Sequence, residues 1–428
     1  MDSLELYHTF LMCSGISIDS RNIAQDSMFF ALKGKSFDGN KFAAQALENG
    51  AAYAVIDDPE FCLDDGRYIL MENALESLQA MASFHRCKIG LPLIGITGTN
   101  GKTTTKELVA AVLSSKFNVL HTIGNHNNQI GVPLTLLRLK MKHQIAVIEM
   151  GASRPGDIQE LAEISLPTFG LITNLGRAHL EGFGSFENLV RTKGELFDFV
   201  RYMNGTVFCK KEDETIQELA QGIKQVSYSL SSDAFVSGRI IDCDPTLRFY
   251  WESLGERYTV KTQLAGSYNI DNVMMAVAVG CRFGVSPAGI NRAIAAYRPS
   301  NHRSQFIVSQ YNSLIVDAYN ANPDSMKAAI ENFRQMKASP KAIILGDMKE
   351  LGEMSVALHE EIVALASESG FDKIFLCGEL FGQTSSKFPT FPETSALITY
   401  LKAHPLHGYS ILLKASHSMG FEKLIELL

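Results

Sequence analysis

Several things are scarce or missing in this 428-residue chain, and each absence excludes something. Its seven cysteines, at positions 13, 62, 87, 209, 243, 281 and 377, are odd in number, scattered and free of any CxxC pair. That excludes a zinc ribbon and a disulfide framework and points to a reducing cytosol. The longest apolar run, Val273 to Cys281, is far shorter than the roughly 18–20 residues that a membrane span requires. The opening MDSLELYHTF has two acidic residues and no Lys or Arg, so it lacks the basic start of a secretory signal. A cytoplasmic protein is expected. There is no basic excess either: 39 Lys and Arg stand against 46 Asp and Glu, a net charge of −7. No broad positive face for nucleic acid is expected. Neither repeats nor biased segments occur.

What is present is ordinary globular material, 46% hydrophobic and 20% charged, with 33 Gly and 13 Pro. At roughly 150 residues per domain this length suggests about three domains. Residues 1–88 read as a small α/β unit: a strand-like run Met28–Leu32, an amphipathic helix ending at Gly50, then a strand Ala52–Ile56. Residues 89–299 open with a short apolar strand, a Gly-rich loop and a helix of about 14 residues. The later strands "IAVIEM" (145–150) and "FGLITN" (169–174) carry polar residues at their carboxyl ends. Residues 300–428 alternate again, with strands "SLIVDAY", "KAIILGD", "KIFLCG" and "SILLKAS". Alternating strands and helices predict mostly parallel, doubly wound sheets.

The segment "GITGTNGKTTT" (95–105) holds the strongest chemical signal. Glycines let backbone N–H groups surround an anion, and the following helix adds its positive N-terminal end. Lys102 would reach the terminal phosphates of a nucleoside triphosphate, and Thr103 would offer a hydroxyl to Mg²⁺. The strict GxxxxGK[ST] spacing is not met, because Ile96 stands at the first Gly position. Strand before and helix after nonetheless fit a phosphate loop better than a structural turn.

Other candidates are weaker alone. Glu149 ends a strand where open α/β sheets place their ligands; it is either a metal carboxylate or a solvated charge. His179 and Glu181 follow another strand in "NLGRAHLEGFGS". Lys193 and Glu195, in "RTKGELF", read in isolation as a solvated face early in a helix. Asn269 and Asn272 precede a Met/Val-rich helix as caps or as groups for a nucleobase. The Met/Val stripe itself reads as core. Asp317, Asn320 and Asn322 form either an ordinary turn or part of a site. Asp347, Lys349 and Lys414 fall at strand ends.

Taken in order, "SIDSR", "FFALKGKSFDG", "TGTNGKTTT", "GNHNNQIGVPLTLL", "EMGASRPGDI", "ITNLGRAHLEGFGS", "TKGE", "NIDN", "VDAYNANPDSM", "LGDMKELG" and "LLKASHSMG" resemble the Mur ligase family. That family makes amide bonds during bacterial peptidoglycan precursor synthesis. The match spans nearly the whole chain, and "DAYNANPDSM" with "LGDMKELG" is similar to the branch that adds the dipeptide D-alanyl-D-alanine. The branch adding a single third residue, and folylpolyglutamate synthase, are the alternatives that the "YNANP" loop disfavours. A nucleotide switch without ligase chemistry is disfavoured by candidate metal groups on three separate segments after the loop. Departures from the family pattern are Ala415 for a Gly, Tyr268 for a His, and Ser153-Arg154 for Asn-His.

The resemblance implies three domains: an N-terminal α/β domain holding the UDP end of the precursor, a central ATPase-like domain, and a C-terminal Rossmann-like domain bringing the dipeptide. It implies ATP and two Mg²⁺ ions as cofactors, UDP-N-acetylmuramoyl-tripeptide and D-alanyl-D-alanine as partners, and a monomer. Carried over position by position, Gly98, Thr99, Asn100, Gly101, Lys102, Thr103 and Thr104 form the ATP loop. Thr103, Glu149, His179 and a carbamylated Lys193 serve the metals, and these last three with Lys102 make the catalytic set. Asn269, Asn272, Arg303 and Asp317 surround the adenosine part. Ser20, Lys35 and Ser36 lie near the UDP group, and Asn127 and Asn128 where the precursor crosses to the central domain.

Overall fold

The computed structural model describes residues 3–177, 180–299 and 302–428. Near the N-terminus four short strands, Ile16–Ser17, Met28–Phe30, Tyr53–Ile56 and Tyr68–Leu70, lie side by side in chain order, all parallel. Strand periodicity sends alternate side chains to opposite faces. Phe29, Ala54 and Ile56 pack on the helix Ala43–Glu48, while Met28, Phe30 and Val55 face the other way.

That second face is covered by the helices Ser3–Leu11 and Ala74–Ile89, and its core runs on without a break into one face of the central sheet. The helix Ala74–Ile89 is capped by the Asn73 side chain, which accepts from the amides of Leu75 and Glu76. Its far end is bolted to the central domain. His85 Nε2 donates to the Leu139 carbonyl at 3.0 Å, so its Nδ1 accepts from the Tyr7 hydroxyl, also at 3.0 Å. The buried Arg86 donates to the carbonyls of Ser165 and Leu166, where the helix Asp157–Ser165 ends.

The central and C-terminal domains share one fifteen-stranded sheet. In the central part Leu93–Thr97 sits between Ile145–Glu149 and Phe169–Ile172, all parallel. Their carboxyl ends therefore open on the same crevice. The helix Lys102–Ser114 leaves the Leu93–Thr97 strand and packs against Ile270–Arg282, whose Val273–Val279 stretch is wholly buried. The Met/Val stripe is core, as its composition suggests.

One departure from the expected β-α alternation is a three-stranded antiparallel ribbon, Val236–Cys243, Thr246–Ser253 and Glu256–Ala265. Its tight turn has Leu254 and Gly255 both at positive φ, the twist that two-residue hairpins favour. The ribbon leads through Gln305–Val308 into the parallel C-terminal strands, with Leu264 paired to Gln305. Among the described residues no helix is long and apolar enough to cross a membrane.

Arg86 supplies a test of the docking between the first two domains. Arg86→Met leaves two helix-end carbonyls without their donor, at a cost of about 2 kcal/mol. Urea titration should show that loss, with turnover at saturating substrate unchanged.

Candidate active site

The loop after Leu93–Thr97 is built so that only glycine fits at two points. A Cβ on Gly98 (φ +139°) would lie 2.0 Å from Thr173 Oγ1, and one on Gly101 (φ +77°) 2.5 Å from Asn272 Oδ1. The neighbouring strand end holds the loop in place. The Asn174 carbonyl accepts from the Thr99 amide at 2.9 Å, and the Asn174 side chain spans the amide and carbonyl of Asn100. Thr173 Oγ1 also donates to the Asn100 carbonyl at 2.7 Å. Neither Thr173 nor Asn174 is among the residues singled out from sequence. The signal for them is their place at the carboxyl end of a buried parallel strand.

Lys102 begins the helix and donates to the carbonyls of Gly98 (2.7 Å) and Thr99 (2.9 Å). Burial pushes its ammonium down to about 8; Glu149 opposes that shift and Arg303 adds to it. Thr103 Oγ1 donates to Glu149 Oε1 at 3.1 Å, and Asn127 Nδ2 donates to the same oxygen at 2.8 Å. Glu149 is only 1% exposed, which rules out the solvated strand end, and its Oε2 is buried without a hydrogen-bond partner among the described residues. A buried carboxylate oxygen beside a hydroxyl is a hard-oxygen donor set of the kind Mg²⁺ prefers. Among the described residues no group of three or more His, Cys, Asp and Glu comes together. His179 lies outside the described residues.

Lys193 corrects the reading from periodicity. It lies within the helix Phe186–Tyr202, not early in it, and is 2% exposed. Its ammonium sits over the Phe183 ring, 5.5 Å from the centroid. Burial, and then the charge of Lys102, lower its pKa well below the usual lysine range. Glu195 is half-buried and accepts from the amides of Gly156 and Gln159. The Ser153-Arg154 departure is a self-contained turn, both amides donating to Asp157 Oδ2.

Opposite the loop, Asn269 and Asn272 do not cap their helix. Asn269 donates to the Ala265 carbonyl, Asn272 donates to Asn269, and Thr105 donates to Asn272. Tyr268 hydrogen-bonds Ser304 at 3.0 Å, and the Ser304 amide lies 3.4 Å from Asp317 Oδ1. Asp317 pairs with the buried Lys414 at 2.9 Å, and Lys414 also donates to the Asn320 carbonyl. Arg303 lies over the Tyr319 ring at 3.6 Å, its Nε buried without a partner among the described residues. Asn322 is a helix cap in a capping box with Ser325, yet it also donates to Asn100 Oδ1 at 2.8 Å. Tyr268, Asn269, Asn272, Arg303, Ser304, Asp317, Asn320 and Lys414, from two domains, line one cleft of about 700 Å³ together with Thr99, Gly101, Thr104, Asn174 and Tyr319; Asn322 reaches it only through its bond to Asn100.

The remaining candidates stand apart. Ser20 is buried against Gln45, and Lys35 and Ser36 are exposed on the loop between Lys33 and Asp38. Asn128 accepts from the amides of Ile130 and Gly131. Asp347 is buried, holding the amides of Leu380 and Phe381 rather than facing the cleft.

A loop for phosphates, a carboxylate ready for a cation and a second domain closing over both define a nucleotide-dependent enzyme of the P-loop type. Comparison narrows the class. Residues 13–83 match the model of the Mur ligase family catalytic domain, 96–280 the Mur ligase middle domain and 302–408 the Mur ligase glutamate ligase domain. The chain belongs to the Mur ligase family. It is 32% identical to a UDP-N-acetylmuramoyl-tripeptide–D-alanyl-D-alanine ligase of Bacillus subtilis, over 96% of this chain and 92% of that one. Its Escherichia coli counterpart of the same name is 31% identical over 99% and 95%. A Thermotoga maritima MurF ligase solved in complex with ADP superposes with a TM-score of 0.86 at 26% identity, covering 98% and 97%.

Lys102→Met tests the loop. Lysine's charge on the transferring phosphoryl group is worth about 10² or more in rate, so nucleotide turnover should fall at least that far. Because the folded pKa of about 8 lies below the usual 10.5, the charged amine costs the folded state stability below pH 8. That cost is lifted as pH rises towards 10.5. Thermal unfolding should find the variant at least as stable as wild type at pH 7, with its advantage shrinking across that window.

Proposed function

We propose that this chain joins D-alanyl-D-alanine to the terminal carboxylate of UDP-N-acetylmuramoyl-tripeptide. ATP is consumed, and the products are the UDP-linked pentapeptide, ADP and phosphate. The observation that carries this reading is the meeting of the phosphate loop, the half-satisfied Glu149 and Tyr319 and Asn320 of "YNANP" at one cleft, with Asn322 of the same segment bonded to Asn100 of the loop. The names of the relatives from Bacillus subtilis and Escherichia coli supply the substrates. A cytoplasmic location follows from where such nucleotide precursors are used.

A carboxylate is a poor electrophile, so it must first be activated. The tripeptide carboxylate attacks the γ-phosphorus, giving an acyl phosphate and ADP. The dipeptide amine then attacks the acyl carbon, loses a proton, and phosphate departs with one former carboxylate oxygen. An anion attacking a polyanion needs positive charge around it. Lys102 provides that from the loop, and Arg303, assigned by resemblance to the adenosine end, is near enough for its charge to act on Lys102. Thr103 and Glu149 would hold Mg²⁺, with His179 and carbamylated Lys193 assigned to the same task by resemblance. When bound, Mg²⁺ supplies charge neutralisation at the triphosphate. Asn100 and Asn322, bonded across the domain boundary, help keep water from the acyl phosphate. Asn269, Asn272 and Asp317 serve the adenosine end, while Ser20, Lys35, Ser36, Asn127 and Asn128 serve the UDP-linked precursor.

Two outcomes are expected. ADP formation should require the nucleotide tripeptide; equal ATP hydrolysis without it would exclude carboxylate activation. Lys193 should carry a carbamate, since a neutral buried amine is the form that adds carbon dioxide, and the product offers Mg²⁺ an anionic oxygen. Lys193→Ala should lose most activity and regain part with a small added carboxylate. Lys193→Arg should fail as well, because a guanidinium stays positive. Near-normal turnover of the arginine variant, or no carbamate signal from ¹³C-labelled carbon dioxide, would contradict the assignment.

A further inference from the structure

The two residues that follow the loop threonines, Lys106 and Glu107, have no part in gripping phosphate, yet both side chains are engaged. Lys106 is completely buried. Its ammonium donates to the Thr122 carbonyl at 2.9 Å and to Glu107 Oε1 at 3.3 Å. A buried ammonium is tolerated only with such partners. Thr122 is buried as well, and its hydroxyl accepts from the main-chain amide of Glu149 at 3.0 Å. On the other side Glu107 Oε2 accepts from the Tyr297 hydroxyl at 3.0 Å.

Tyr297 ends the helix Pro287–Ala296 and with it the central domain. Shortly beyond it comes Arg303, flanked by two left-handed residues, His302 (φ +55°) and Ser304 (φ +48°). Left-handed backbone is unfavourable for a non-glycine residue, so the surroundings must impose it. The His302 carbonyl accepts from the Ala318 amide, and the Ser304 carbonyl from that of Ala265. Arg303 is near enough for its charge to act on both Lys102 and Tyr297. A continuous polar chain thus runs from the amide of Glu149 through Thr122, Lys106 and Glu107 to the exit of the central domain.

We propose that Lys106, Glu107 and Tyr297 are positioning residues for the nucleotide step. They tie the Glu149 amide and Tyr297, at the end of the helix Pro287–Ala296, to one helix, the helix that also carries Lys102 and Thr103. Glu149 Oε2, buried without a partner among the described residues, is thereby held at a set position relative to the loop. This is a matter of placement alone, because none of the three side chains lines the cleft.

The inference rests on the ligase reading for its chemistry, but its test separates the two. Tyr297→Phe removes one oxygen and little else. The full-length variant should bind the non-hydrolysable analogue AMP-PNP, with Mg²⁺ present, about tenfold more weakly by calorimetry. The KM for ATP should rise to match, while the KM for the nucleotide tripeptide and for D-alanyl-D-alanine stays within twofold. Glu107→Ala breaks the same bond, so adding Tyr297→Phe to it should produce no further loss. A merely structural role would lower the unfolding midpoint and leave the affinity of the folded protein alone. AMP-PNP affinity within twofold of wild type for Tyr297→Phe would overturn the proposal, and so would losses that multiply in the double variant. Should Glu107→Ala fail to fold, the tyrosine variant still decides. Failure of wild type to form ADP would sink the ligase reading, and the calorimetric series would still judge the chain of bonds.

Discussion

The buried carboxylate of Glu149 is the interaction on which the rest of the site depends. One oxygen is satisfied by Thr103 and Asn127, and the other is buried with no hydrogen-bond partner among the described residues. A buried polar oxygen without a hydrogen-bond partner is unfavourable, so the surrounding elements hold it in place. The strand Ile145–Glu149 brings it to the sheet's carboxyl edge, Thr122 pins its amide, and the loop helix presents a hydroxyl to it. On the proposed reading a divalent cation would satisfy that oxygen, and a triphosphate would meet the positive charge of Lys102.

The scaffold that maintains this arrangement is a single sheet crossing two domains. Asn322 caps a C-terminal helix and at the same time bonds to Asn100 of the loop. Asp324, two residues further on, accepts from the Arg177 amide at 2.7 Å. The acyl phosphate would therefore form under a roof fastened at two points, while the N-terminal domain stays docked through His85 and Arg86.

Much of this was legible in the residues alone, and the reason is local. "GTNGKTTT" after an apolar run and before a helix names its own structure, because glycine is the only residue that the close approaches at 98 and 101 admit. Glu149 could be placed at a strand end by pattern, but its burial could not. Lys193 shows the limit most clearly. Within "RTKGELF" it looks like any solvated lysine, and only the packing of Phe186–Tyr202 against its neighbours reveals it as buried over Phe183. Asn174 was missed for a related reason, since its partner Asn100 is distant in sequence and the bond exists only once two strands are aligned. The ribbon spanning 236–265 was not anticipated, because the strands on either side alternate with helices and set the opposite expectation. Residues carried over by resemblance, such as Lys35 and Ser36, lie exposed on a loop, where no contact in the protein speaks to their role.

The most direct measurement follows an atom. The nucleotide tripeptide labelled with ¹⁸O at both terminal carboxylate oxygens is turned over with ATP and D-alanyl-D-alanine, and the inorganic phosphate is analysed by mass. Activation through an acyl phosphate requires each phosphate released to carry one ¹⁸O, with the other kept in the new amide carbonyl. Phosphate free of label, with pentapeptide still formed, would show that the carboxylate never attacks the γ-phosphorus, and the account of this cleft would fall with it.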